Sequence, residues 1–212
     1  MKKFLILILA VVTSVALLAG CGNAGNAAGS SREITVISRE EGSGTRGAFI
    51  ELFGIEAKDA NGEKVDMTTE DAEISNSTSV VMTSVAGNPY AIGYISMGSI
   101  HDTVKALSID GAAPTAENVN AGSYKIVRPF NIATTGTISE AARTFIDFIL
   151  SAEGQAVVVA NGYIASAQDA APFKGTMVSG KVVVAGSSSV TQVMEKLKEA
   201  YEALNPNAEI EI

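Results

Sequence analysis

Cysteine and histidine are nearly absent from this chain: 212 residues hold one of each, Cys21 and His101. A single cysteine excludes an intrachain disulfide and a cysteine-rich metal site. The lone histidine sits in Ser99-Ile100-His101-Asp102 with no partner motif, so no histidine pair can hold a metal and Ser43 has no visible base. It reads as a surface loop residue. No Gly-Lys-Ser follows a glycine loop, which removes a Walker-type nucleotide site. Neither a cofactor, a metal nor an enzymatic activity is expected. Positive charge is scarce as well, with 15 Lys and Arg against 23 Asp and Glu. Nucleic-acid binding rests on many basic contacts to phosphates, and this balance disfavours it.

What the chain does have is an ordinary globular composition, 47% hydrophobic and 18% charged, with room for one core or two small ones. Met1-Lys2-Lys3 precedes an apolar run from Phe4 to Leu18, then Ala19-Gly20-Cys21. That is the layout of a secretory signal, too short for a comfortable membrane span. Leu18-Ala19-Gly20-Cys21 resembles the bacterial lipobox, in which the cysteine becomes the lipidated first residue, so Cys21 is the expected lipidation site. Residues 1–20 are then a lipoprotein signal peptide and residues 21–33 a flexible tether, made of Gly, Asn, Ala and Ser from Gly22 to Ser31. Removing residues 1–20 takes Lys2 and Lys3 from the basic side chains and none from the 23 acidic ones, for a net charge of −10. An anion site on such a surface must work through local dipoles and one or two guanidinium groups, against the long-range field.

Alternating strand and helix signals make the chain α/β. Ile34–Ile37 reads as a strand, and Ala48–Phe53 as a helix closed by Gly54. Glu56–Asp71 is a polar excursion with Asn61-Gly62 as a turn. Ser75–Ser79 has the residues of a helix cap before Val80, Val81, Met82 and Val85. Tyr90–Ile95 reads as a buried strand, and Lys105–Ile109, Tyr124–Val127 and Phe130–Thr134 as further strands. Thr137 or Ser139 caps an amphipathic helix with Ala141, Ala142, Phe145, Ile146 and Ile149 on one stripe, and Ser151–Gly154 breaks it before a second helix that ends at Asn161-Gly162. Ala165–Gly180 is a connector. Lys181–Ala185 is a strand, Gly186–Thr191 a hydroxyl-rich loop, and Val190, Val193, Met194, Leu197, Tyr201 and Leu204 one face of a helix; Ala208–Ile212 begins an alternating strand.

Two strand-to-helix loops thus stand out, Arg39-Glu40-Glu41-Gly42-Ser43-Gly44-Thr45-Arg46 and Gly186-Ser187-Ser188-Ser189-Val190. A tetrahedral oxyanion needs many donors converging on four oxygens. Backbone N–H groups and hydroxyls at a helix N-terminus supply them, and glycine lets the backbone approach. Arg39 adds a planar fork suited to two oxygens at once, and Glu41 is expected to hold that fork.

These loops, with Ala91-Ile92-Gly93-Tyr94, Tyr124–Pro129 and Ser151-Ala152-Glu153-Gly154-Gln155 followed by Gly162-Tyr163, resemble successive landmarks of the phosphate-binding lipoproteins of the bacterial phosphate ABC transporter. The resemblance implies a periplasmic-binding-protein-like fold, two α/β lobes clamping phosphate. Residues 34–127 are the expected first lobe, and 128–212 a partial second lobe ending in a β-α-β unit, so that one lobe is incomplete. By position, Arg39, Ser43, Gly44 and Thr45 would bind phosphate from one side and Ser189 with the Val190 N–H from the other. Glu41 stands where the family has an arginine-bracing aspartate. The implied partners are inorganic phosphate, the permease subunits of an ABC importer and the outer face of the bacterial cell membrane, reached through the lipid on Cys21. In the family the Gly-Ser-Ser loop comes first; here the order is reversed. A further glycine-serine loop and an acidic residue have no counterpart here, so phosphate binding by this chain alone is expected to be weak or absent. The alternatives are a receptor for sulfate, molybdate or tungstate, an exported phosphate-ester hydrolase, and a purely structural lipoprotein.

Overall fold

The β-branched run Thr35-Val36-Ile37 opens β1 (Thr35–Arg39), whose last three residues are buried. The computed structural model describes residues 33–212, so the expected signal peptide and Cys21, with all of the expected tether but Glu33, lie outside the described residues. Ile34–Ile212 is one compact unit. After β1 the chain turns into α1 (Gly44–Leu52), capped by Ser43, whose hydroxyl accepts from the Arg46 N–H. The polar excursion is a small antiparallel hairpin, β2 (Glu56–Lys58) with β3 (Lys64–Asp66). Next come β4 (Glu73–Ser75) and α2 (Thr78–Gly87). Within the expected cap stretch, Ser77 does the capping, accepting from the Val80 N–H at 3.2 Å.

β5 (Ala91–Gly93) completes a parallel three-stranded sheet in the order β4-β1-β5, with Ile37 opposite both Glu73 and Gly93. The strand expected over Tyr90–Ile95 is therefore shorter, Ile92 is exposed, and among the described residues β5 pairs with β1 alone. Gly93 lets α2 approach: an added Cβ would lie 2.9 Å from Val81 Cγ1.

Three expected strands do not form. Lys105–Ile109, Tyr124–Val127 and Phe130–Thr134 carry no ladder, apart from one isolated bridge between Ile109 and Ala112. Their apolar side chains Leu107, Val127, Phe130 and Ile132 are exposed. Strand propensity is a preference for packing on a pleated surface, and no neighbouring strand among the described residues offers one. A short helix that the sequence did not announce, α3 (Ala116–Asn120), starts at a Thr115 cap.

The second half packs around α4 (Glu140–Ile149), α5 (Ala152–Ala160), β6 (Gly180–Val183), α6 (Thr191–Leu204) and β7 (Ala208–Glu211). Ser139 caps α4. Its buried residues Ala141, Phe145, Phe148 and Ile149 recur at helical spacing, so the stripe runs through Phe148, with Ala142 and Ile146 at its border. They meet Val193, Leu197 and Tyr201 of α6, with Val182 and Ile210 from the parallel β6–β7 pair. Ser151 stops α4 and starts α5: its hydroxyl donates to Phe148 O at 2.6 Å and accepts from the Gly154 N–H. Gly154 is required there, because a Cβ would fall 2.1 Å from Phe148 O.

Candidate oxyanion site

Parallel strands place the loops after their C-terminal ends at one edge of the sheet, the usual ligand edge of α/β folds. β1 ends there with Arg39, and β4 leads there into α2. The Arg39 backbone is fixed from two directions. Its N–H donates to Tyr94 Oη at 3.0 Å, and its carbonyl accepts from Arg46 Nη1 at 2.7 Å. Tyr94 also pairs with Ser38 Oγ at 2.8 Å and stacks on Phe49 of α1, ring centroids 4.0 Å apart. Arg46 is held by Asp66 of the hairpin, Nε to Oδ2 at 2.7 Å. Burial pushes the Asp66 carboxyl up, but hydrogen bonds from Thr68 and Arg46 more than offset this and leave it below its ordinary value.

The Arg39 side chain is only 2% exposed. Its fork is gripped by Glu40: Nε donates to Oε2 at 2.8 Å and Nη2 to Oε1 at 2.9 Å. The brace expected from Glu41 thus comes from its neighbour. Gly42 has φ +82°, a left-handed turn that glycine adopts without strain, and Glu41 beside it points outward, exposed. The Arg39 hydrogen bonds hold the Glu40 carboxyl below its ordinary value. A buried cation paired in this way keeps directional donors while losing most of its net field, which favours recognition by hydrogen bonding over capture by charge.

The other edge of the guanidinium meets hydroxyls. Nη2 donates to Ser188 Oγ at 3.1 Å and Nη1 to Thr78 Oγ1 at 3.4 Å. Beside them Thr45 Oγ1 is hydrogen-bonded to Ser189 Oγ, and Ser189 O accepts from Tyr163 Oη at 2.9 Å. So Arg39, Thr45 and Ser189 of the expected set come together. Ser43 and Gly44 begin the helix that carries Thr45, and the Ser43 hydroxyl serves as its cap. The Val190 N–H lies in a turn, donating to Ser187 O at 3.0 Å. Sequence reasoning missed Glu40, Thr78, Ser188, Tyr94 and Arg46 as contributors. Thr78 was legible only as part of a cap, and Ser188 lies one position before the serine expected. A cleft of about 540 Å3 opens beside the cluster, lined by Thr78, Met82, His101, Ser188 and Gln192 among others. His101 is exposed. Among the described residues, no group of acidic, histidine or cysteine side chains is arranged to hold a metal.

The sequence model of the PBP superfamily domain matches residues 22–153. The phosphate-binding protein PstS 2 of Streptococcus agalactiae is 53% identical over 216 residues, covering 100% of this chain and 73% of its own length. The chain belongs to the PBP superfamily. Its mixed α/β architecture is periplasmic-binding-protein-like. The crystal structure of a phosphate ABC transporter phosphate-binding protein from Streptococcus pneumoniae superposes with a TM-score of 0.68 at 47% identity, over 84% of this chain and 69% of that one. A putative phosphate ABC transporter substrate-binding protein with bound phosphate from Clostridium perfringens gives 0.56 at 41% identity, over 63% and 52%. The S. agalactiae alignment runs the length of this chain.

Proposed function

We propose that this chain binds inorganic phosphate outside the cytoplasm and delivers it to the permease of an ABC importer, anchored through a lipid on Cys21. In this reading residues 34–127 supply Arg39, Ser43, Gly44 and Thr45, and residues 128–212 supply Ser189 and the Val190 N–H, which turns to the anion from Ser187 O. The observation that supports it most is the Arg39 guanidinium, 2% exposed, neutralised on one edge by Glu40 and facing on the other the hydroxyls of Ser188 in the second loop and Thr78 at the start of α2. That arrangement supplies strong directional donors to an oxyanion and little long-range attraction, as an anion receptor on an acidic chain requires. The names of the PstS relatives and of the phosphate-bound C. perfringens protein agree with it.

Isothermal titration calorimetry with inorganic phosphate, carried to millimolar ligand, tests the reading, with sulfate, molybdate and tungstate in parallel cells. Binding of phosphate in preference to the other three, weakened about 10- to 100-fold by Arg39→Lys as the planar fork is lost, is expected. Equal or tighter binding of another oxyanion, or full phosphate affinity in the lysine variant, refutes it. Mass spectrometry of the membrane-extracted protein checks the anchor through a diacylglyceryl mass on Cys21.

A further inference from the structure

The hydroxyls of Thr78 and Ser188 are 3.4 Å apart, and each accepts from a different nitrogen of the same guanidinium, at 3.4 and 3.1 Å. Thr78 is 6% exposed. A hydroxyl has one proton to donate. If both oxygens accept from Arg39, only one O–H can point at the other hydroxyl, and the second is directed elsewhere. Both residues line the cleft beside the cluster. Two of the three contacts in this triangle, both made by Thr78, are beyond the usual upper length for a hydrogen bond, so the groups surround a point more than they satisfy one another.

We propose that Thr78 and Ser188 are ligand-contacting residues, forming with Arg39 Nη1 and Nη2 a three-cornered donor set for one oxygen of a tetrahedral oxyanion. The inference rests on the phosphate reading above and extends the site to a third helix start, that of α2. An oxygen entering from the cleft replaces the slack Thr78–Ser188 contact. It accepts from the guanidinium and from both hydroxyl protons, while Thr45 and Ser189 serve neighbouring oxygens. Thr78 is the first residue of a ten-residue helix, so its N–H and that of Ser79 have no intrahelical acceptor and their dipoles point the same way.

Phosphate titration calorimetry on the full chain compares wild type, Thr78→Val, Thr78→Ser, Ser188→Ala and Thr103→Val. Thr103 lines the same cleft, and its hydroxyl is paired with His101 Nδ1 at 3.0 Å, away from Arg39. Valine keeps the shape of threonine and removes the proton. Thr78→Val and Ser188→Ala are each expected to weaken phosphate about tenfold, with Thr78→Ser and Thr103→Val at wild-type affinity. Wild-type affinity in Thr78→Val or in Ser188→Ala overturns the inference and leaves the phosphate reading intact. Absence of phosphate binding in the wild type overturns both. Should Thr78→Val fail to fold, Ser188→Ala decides alone, by the same criterion.

Discussion

Thr45 and Ser189 join their hydroxyls across 144 positions of chain. One belongs to the first turn of α1 and the other lies two residues before α6, so the contact ties together the two loops that sequence reasoning singled out. Ser189 is 1% exposed, and a buried hydroxyl deprived of its partner carries a desolvation cost. Thr45→Val is expected to destabilise the protein by about 1–2 kcal/mol. Adding Ser189→Ala should recover part of that loss, giving a non-additive cycle in urea unfolding. Strict additivity would show that the pair has no energetic coupling.

Glu40 carries the second prediction. Its folded carboxyl lies below the ordinary value of 4.5, chiefly through the Arg39 hydrogen bonds. Folding therefore favours the ionised form: the stabilisation is complete above that ordinary value and is lost as pH falls through the lower folded one. Asp66 is depressed too and works in the same direction. Glu40→Gln should lower stability by about 1 kcal/mol at neutral pH, a modest figure because Glu40 is 36% exposed and screened. It should also flatten the fall in urea midpoint between pH 5 and about pH 3. Identical acid profiles for the two proteins would count against the Glu40 brace.

Tyr201 gives a prediction of opposite sign. It is 0% exposed, and its hydroxyl has no hydrogen-bond partner among the described residues. The ring packs against Phe145, Phe148 and Phe173. Burial pushes the phenol above its ordinary value. Tyr201→Phe keeps the rings and removes the unpaired group, so thermal unfolding should show a gain of about 1 kcal/mol.

At the α4–α5 junction no side chain fits. Gly154→Ala places a Cβ 2.1 Å from Phe148 O and 2.7 Å from Ile149 O, both backbone atoms that cannot rotate away. A loss of about 1–3 kcal/mol is expected in chemical denaturation. A wild-type midpoint would mean that the two helices can part at no cost.

The strand, glycine loop and helix around Arg39 were legible because each carries a local signal: β-branched residues, a serine cap and helical apolar spacing. The face of α6 was legible for the same reason, and the cap of α4 was narrowed to Thr137 or Ser139, of which the structure uses Ser139. Glu40 was not, because two adjacent glutamates look alike until the turn at Gly42 sends one inward and the other to solvent. Tyr94 and Thr78 reach Arg39 from 55 and 39 positions away, through sheet order that no local pattern encodes. Lys105–Ile109, Tyr124–Val127 and Phe130–Thr134 show the converse: their apolar and β-branched residues led to an expectation of strands that do not form, because a ladder needs a neighbour as well as a propensity. The family resemblance supplied the expectation that spacing alone did not, that the two loops meet; the structure joins them through the Thr45 and Ser189 hydroxyls.

The chain has no tryptophan and five tyrosines, and two of those phenols are bonded to the loops themselves: Tyr94 Oη to Ser38 and the Arg39 N–H, Tyr163 Oη to Ser189 O. Without an indole to collect excitation energy, ultraviolet emission from this protein comes from phenols alone, and a phenol's brightness depends on what its hydroxyl touches. Each loop therefore carries its own built-in optical reporter, and movement of either one can be followed in the unlabelled protein.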